Sequence, residues 1–216
     1  MVTVYGANIS PFVRKVRVFL AEKNIPYKLE PVNPFTAGPD YKKISPLGRI
    51  PAFQDGNVTL ADSSVICAYV ERTNPQLALY PSAPADYAQA LWFEEYGDGG
   101  LAPVVGPKIF RQRVVMPLLF KQPGDEASAQ KAVAEELPPL FDYLESQLTD
   151  GAALVRGQFS IADIGIATQF VNLRHAGVDV DAQRWPKLAR YISSIHARPS
   201  FKAVIDEEEA MLKKAK

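Results

Sequence analysis

The sequence predicts a small α/β domain followed by a larger all-helical one. Three observations carry that expectation. Up to about residue 80, strand and helix patterns alternate in the order β-α-β and then β-β-α. The stretch Tyr80-Pro81-Ser82-Ala83-Pro84-Ala85 then reads as a linker by composition. Beyond it, apolar residues recur only at helical spacing. The expected division is a first domain at 1–79, a linker at 80–86 and a helical domain at 87–216.

The first strand is Val-Thr-Val-Tyr, ended by Gly6. Ser10-Pro11 then starts a helix. Serine at the N-cap can accept a hydrogen bond from an early backbone N–H, and proline at the first helical position gives up no bond the helix needs. Phe12, Val13, Val16, Phe19 and Leu20 repeat at helical spacing, so one face of residues 11–23 is expected to be buried. Such a helix N-terminus carries partial positive charge and free N–H groups, and it favours an anion. A thiolate held there would have its pKa lowered by the same field. Taken alone, Ser10 reads first as a cap; the rest of the chain decides whether it is also a site.

Residues 27–32 alternate apolar and polar, which predicts a second strand parallel to the first across a right-handed crossover. Residues 33–46 are rich in proline and read as irregular, with a short helix at 41–44. Ile50-Pro51-Ala52-Phe53-Gln54 is the third strand. Asp55-Gly56 is a turn, and 57–60 returns as a hairpin. Asp62 caps a helix over 63–72, which Asn74-Pro75 stops. This order is thioredoxin-like. Pro51 opens a strand, where a proline needs a reason. An ordinary trans proline at a strand edge is one reading. A cis bond that presents the Ile50 backbone to an extended peptide is the other.

In the second half, Asp86 is expected to cap a helix starting at Tyr87, with breaks or kinks at Gly97 to Gly100, Pro103, Gly106 and Pro107. A long periodic helix over 126–148 should be kinked at Pro138-Pro139. Ser160 and Asp163 form a capping-box-like pair before the apolar run 164–171. That run is apolar nearly all round, so its helix should lie at the centre of the domain. Pro186 and Pro199 start two more helices. The acidic and basic run at the end reads as a solvated helix face.

Bulk properties exclude several classes. Lys plus Arg and Asp plus Glu number 24 each, so net charge is zero and nothing favours a nucleic-acid or acidic-membrane partner. No apolar run reaches the length of a membrane span, and the N-terminus shows no signal-peptide pattern. One cysteine, Cys67, allows no internal disulfide and reads as packing. With only two histidines beside it, a His/Cys metal cluster is not expected. The profile is that of a soluble, cytoplasmic protein.

Three separated motifs then resemble those of the cytosolic glutathione S-transferases, in a bacterial-like, serine-type form, and the resemblance covers almost the whole chain. They are Ser10-Pro11-Phe12-Val13-Arg14-Lys15-Val16, Pro46-Leu47-Gly48-Arg49-Ile50-Pro51-Ala52-Phe53, and Leu60-Ala61-Asp62-Ser63-Ser64. The Ser160 to Asp163 pair matches the buried helix of that family's all-helical domain. The resemblance implies the glutathione transferase fold, glutathione as co-substrate, no metal, a homodimer and a role in detoxification.

It also implies roles for particular residues. Ser63 would bind the γ-glutamyl carboxylate, and Asp62 would offset the ammonium. Ile50, before Pro51, would pair its backbone with the cysteinyl segment. Arg49 would face the glycyl carboxylate or simply lie on the surface, with Lys43 a weaker candidate. Ser10 would donate to the sulfur as it ionises. A free thiol has a pKa near 8.5, and lowering it by roughly two units corresponds to about 2.7 kcal/mol in favour of thiolate. Tyr5 and Asn8 are rival donors.

A small hydrophobic electrophile would be lined by Phe12, Tyr96, Phe110 and Arg113, though aromatic residues at helical spacing are more often core. Two alternatives stay open: a non-catalytic ligand-binding or interaction protein of the same fold, and a glutathione-dependent peroxidase. The isomerase branch carries a serine-rich loop with Cys and Trp before its first helix. Asn8-Ile9-Ser10-Pro11 lacks that pattern.

Overall fold

β1 (Val2–Gly6) is an inner strand of a four-stranded sheet, with Val4 fully buried at its centre. The computed structural model describes residues 1–149 and 153–215. The strand order is β2-β1-β3-β4, with β2 at Tyr27–Pro31, β3 at Ala52–Asp55 and β4 at Val58–Leu60. β1 runs parallel to β2, pairing Val4 with Leu29. It runs antiparallel to β3, pairing Val4 with Phe53, and β3 pairs Phe53 with Leu60 of β4. Three short helices complete this unit: α1 (Pro11–Glu22), α2 (Pro39–Ile44) and α3 (Ser63–Thr73). α1 packs on α3. Val4, Phe53, Val16, Phe19, Leu20, Ile66 and Val70 form the core. The thioredoxin-like order read from the sequence is the one observed, and β3 begins two residues later than expected, at Ala52.

The chain divides into two compact units, Met1–Leu79 and Tyr80–Lys216. Helix follows helix through the second. α4 spans Pro84–Glu95, and a π-helical turn spans Tyr96–Leu101. α5 (Ala102–Val104), a second π-helical segment (Val105–Val115) and α6 (Met116–Leu119) follow. α7 (Glu126–Lys131), a third π stretch (Ala132–Glu136) and α8 (Leu137–Gln147) form the next rod. α9 (Ile161–His175), α10 (Pro186–His196) and α11 (Pro199–Ala215) complete the unit. α9 is central, as its all-round apolar pattern predicts: every residue from Ile161 to Leu173 is buried.

Two expectations need correction. The first helix of this unit starts at Pro84 rather than Tyr87. Proline is tolerated at a first helical position, and Asp86 pairs with Arg156 at 2.6 Å instead of capping. The glycines and prolines between 97 and 107 do not break the helical path, which runs from 84 to 119. π-helical turns absorb them. Close packing explains the glycine at 97: a Cβ there would lie 2.6 Å from the carbonyl oxygen of Gly165. At Pro138-Pro139, where a kink rather than a break is expected, the helical path stays continuous from 126 to 147. The α register restarts at Leu137 after the π stretch, so both prolines fall in a first turn, where the ring is accommodated.

Candidate active site

The sheet delivers three chain segments to one place. Gly6, at the end of β1, lies where a side chain would collide: a Cβ there would come within 2.4 Å of Val13 Cγ2 and 3.4 Å of Ile50 Cβ. The end of β1, the first turn of α1 and the segment before β3 are therefore in direct contact. Glycine at position 6 permits that approach.

Ser10 sits at the N-cap of α1 with extended backbone, φ −74° and ψ 127°. Its hydroxyl oxygen accepts from Val13 N at 3.4 Å, the long end of the hydrogen-bond range, and the residue is half-buried. The cap predicted from sequence is present but only loosely made. Tyr5, the rival donor, gives its hydroxyl proton to Gln54 Oε1 at 2.9 Å. Asn8 is half-buried in the same loop.

The bond between Ile50 and Pro51 is cis. The carbonyl before it, that of Arg49, accepts from Tyr41 Oη at 2.9 Å and from the buried Ser45 Oγ at 2.8 Å. Neither Tyr41 nor Ser45 was singled out from the sequence, where each reads as an ordinary turn or core residue. The Arg49 side chain is exposed. Lys43 is exposed too and pairs with Asp40 at 2.7 Å.

Asp62 is the N-cap of α3, as expected, and its Oδ1 accepts from Ser64 N at 3.0 Å and Val65 N at 3.1 Å. Ser63, the first helical residue, is only 4% exposed. Lys15, buried in α1, donates to Ser64 Oγ at 3.0 Å and so joins α1 to the start of α3. Chemically, this unit presents two helix N-termini, each with serine at or beside its cap. Such an arrangement suits two negatively charged groups on one ligand.

The residues proposed around an electrophile are placed as follows. Phe12 is half-buried in the first turn of α1. In the helical unit, Tyr96 donates to the Leu140 carbonyl at 3.2 Å, and its ring lies 4.8 Å from that of Tyr143. Burial, with a smaller contribution from Tyr143, pushes its phenol up to about 12. Phe110 is buried. Arg113 spends its guanidinium on Glu126, at 3.1 and 2.7 Å, and on the Ala176 carbonyl at 3.3 Å. A cavity of about 490 Å³ lies inside this unit, lined by Phe170, Ile192 and His196 among others, and none of these four residues lines it. No helix among the described residues is long and apolar enough to cross a membrane.

Comparison with known proteins agrees with this fold. The family model "Glutathione S-transferase, N-terminal domain" matches residues 4–78, and "Glutathione S-transferase, C-terminal domain" matches 110–208. A glutathione S-transferase of Hyoscyamus muticus is 30% identical over 216 residues, 95% of this chain and 98% of its own. A maleylacetoacetate isomerase of Pseudomonas aeruginosa is 29% identical over 196 residues, 87% of this chain and 88% of its own. The crystal structure of glutathione transferase F2 from Populus trichocarpa superposes with a TM-score of 0.85 at 28% identity, covering 97% of this chain and 100% of that one. Relatives at this level thus come from plants and from bacteria. With its thioredoxin-like sheet, its all-helical second unit and matches along nearly its whole length, the chain belongs to the glutathione S-transferase family of enzymes.

Proposed function

We propose that the protein is a serine-type glutathione S-transferase that activates the thiol of glutathione for attack on a small hydrophobic electrophile. One observation carries the reading. A loosely made serine cap opens α1, the first turn of α1 and Ile50 meet around Gly6, and α1 is tied through Lys15 to the serine-bearing start of α3. In this reading the hydroxyl and backbone N–H of Ser63 bind the γ-glutamyl carboxylate, and Asp62 offsets the ammonium beside it. The Ile50 backbone, held in place next to Pro51, pairs with the cysteinyl segment. Arg49, exposed and next to that segment, faces the glycyl carboxylate.

The chemistry follows from one proton. Ser10 donates its hydroxyl hydrogen to the sulfur, which favours the ionised form, and the N-terminal field of α1 acts in the same direction. The sulfur attacks the electrophilic carbon, its S–H proton having left to solvent, and the leaving group departs with the bonding pair. Serine forms no covalent bond. Tyr5 is the weaker donor because its proton is already given to Gln54. Phe12, in the same first turn that Ser10 caps, is the apolar candidate for contact with the electrophile. We further assign the protein to the cytoplasm, as a homodimer that detoxifies electrophiles. The isomerase named among its relatives is the weaker reading, because the Asn8-Ile9-Ser10-Pro11 loop lacks the Cys and Trp of that branch.

The test is the near-ultraviolet thiolate absorbance of bound glutathione across pH, for the parent and Ser10→Ala. A bound pKa well below 8.5 that rises in Ser10→Ala supports the reading. A depressed pKa that Ser10→Ala leaves unchanged moves the role to Asn8, Tyr5 or the helix terminus. Absence of binding favours a ligand-binding protein that has kept the fold.

A further inference from the structure

Two buried hydroxyls converge on one carbonyl of an exposed loop residue. The Arg49 carbonyl oxygen accepts from Tyr41 Oη at 2.9 Å and from Ser45 Oγ at 2.8 Å. A carbonyl oxygen has two lone pairs, and both are taken. Ser45 is 0% exposed and Tyr41 8%. Water satisfies a loop carbonyl almost as well, since a neutral hydrogen bond adds only about 1 kcal/mol net. What two fixed donors add over water is direction. Burial raises the Tyr41 phenol above its ordinary value, against the pull of Ser45, so this donor keeps its proton at neutral pH. The loop is also closed around the same point. Ser45 is the C-cap of α2, and its N–H donates to the Tyr41 carbonyl at 2.8 Å. Its carbonyl accepts from Gly48 N at 2.8 Å, across the turn Ser45-Pro46-Leu47-Gly48. Gly48 has φ +66°, a value that favours glycine.

The peptide bond transmits this direction to the next residue. The Arg49 carbonyl and the Ile50 N–H belong to one planar trans unit, so they point opposite ways. Holding the carbonyl on Tyr41 and Ser45 therefore aims the Ile50 N–H away from α2. Among the described residues none hydrogen-bonds to the Ile50 N–H or the Ile50 carbonyl. Ile50 and the first turn of α1 meet around Gly6. A backbone with both groups open is thus held at a set angle beside the helix that Ser10 caps.

We propose that Tyr41 and Ser45 are positioning residues for the thiol: by fixing the Arg49–Ile50 peptide they aim the Ile50 N–H at the carbonyl of the ligand's cysteinyl residue, and so set where its sulfur lies relative to Ser10. This rests on the glutathione reading given above, in which the Ile50 backbone pairs with the cysteinyl segment.

The experiment pairs calorimetry with NMR on the full chain. Two peptides are compared: glutathione, and its analogue with the cysteinyl carbonyl reduced to a methylene, which leaves the Ile50 N–H no acceptor. Tyr41→Phe keeps the buried ring and removes one donor. It should weaken glutathione about fivefold, the size of one neutral hydrogen bond, and leave the analogue nearly unchanged. Ser45→Ala should do the same. In the isotope-labelled parent, glutathione should move the Ile50 amide proton downfield, and the move should shrink in each variant. A merely structural role would weaken both peptides alike, or leave the Ile50 shift intact in the variants, and either result overturns the proposal. Should the analogue bind too weakly to measure, the amide shift decides alone. Should Tyr41→Phe fail to fold, Ser45→Ala makes the same test. A parent that binds glutathione without moving the Ile50 amide overturns the proposal and leaves glutathione binding standing. A parent that binds no glutathione refutes the glutathione reading itself, and this assignment with it.

Discussion

Two helix starts in this chain use the same residue types for opposite ends. At α9, Ser160 and Asp163 close a capping box in which nothing is left over. Asp163 is 0% exposed and accepts from Leu154 N, Ser160 N and Tyr191 Oη at 3.0, 2.8 and 2.8 Å, with Ser160 Oγ at 3.3 Å. At α1, Ser10 makes one cap contact of 3.4 Å, and the residue is only half-buried. A cap whose hydrogen-bonding capacity is used up holds the fold together. A cap with capacity to spare can serve a ligand. Sequence alone shows a serine before an apolar helix in both places.

The largest expected effect tests the closed cap. Asp163→Ala would leave those donors without their shared acceptor in the interior. Such a loss costs about 3–5 kcal/mol, so the urea midpoint should fall sharply, and the helical unit is expected to unfold first. Asp163→Asn should cost less, because it keeps the shape. The pH dependence gives a sign. Burial raises the Asp163 carboxyl above the ordinary aspartate range, against the pull of the donors around it. A raised folded value means that the stability contributed by this group is fully present below the unfolded pKa and is lost as pH rises through the folded one. Asp163→Asn should remove that slope from a series of thermal melts.

Ser10→Ala tests the open cap and should show the reverse pattern. Stability should fall by no more than about 1 kcal/mol, the ordinary cost of an N-cap. The pKa of bound glutathione should rise by roughly one to two units, with a drop of about 10- to 100-fold in kcat/KM at neutral pH. A stability loss as large as that of Asp163→Ala, with an unchanged thiolate pKa, would erase the distinction between the two caps.

The same distinction explains what could be read from the sequence. Caps and turns are local, and Ser10-Pro11, Asp62 and Ser160 with Asp163 were all legible as helix starts. So was the central place of α9, whose apolar surface leaves it no wet face. What escaped notice was set across the fold. The contacts of Tyr41 and Ser45 with the Arg49 carbonyl, and of Lys15 with Ser64, depend on which segments the sheet brings together. The continuous helical path over 84–119 was misjudged for a related reason. Gly97 is demanded by the approach of Gly165 rather than by a turn, and π-helical turns are not encoded by local propensity.

A hydroxyl that is already used should also resist titration. Tyr96 donates to the Leu140 carbonyl and is pushed up to about 12 by burial. It should stay neutral at any pH where the enzyme works, so it is no candidate base for the thiol. Absorbance at about 295 nm, compared between the parent and Tyr96→Phe, should show no phenolate from this residue below about pH 11. An ionisation near the free tyrosine value would mean that its hydroxyl is available after all.

The smallest effect concerns Arg113, where the same reasoning is applied to a charge. Its hydrogen bonds to Glu126, and then its positive charge, hold that carboxyl below the usual glutamate range. A lowered folded value means a contribution present above the unfolded pKa and lost as pH falls through the folded one. The pair is largely exposed on the glutamate side, so its effect on stability should be slight. Arg113→Ala should return the Glu126 carboxyl to the ordinary range, as read by NMR titration of its side chain. It should also leave the relative rates with neutral and anionic electrophiles unchanged, since the guanidinium is committed to Glu126 and the Ala176 carbonyl. A selective loss of rate with the anionic electrophile would show that Arg113 can leave Glu126 for a ligand. It would then belong with Ser10, among the groups that keep capacity in reserve.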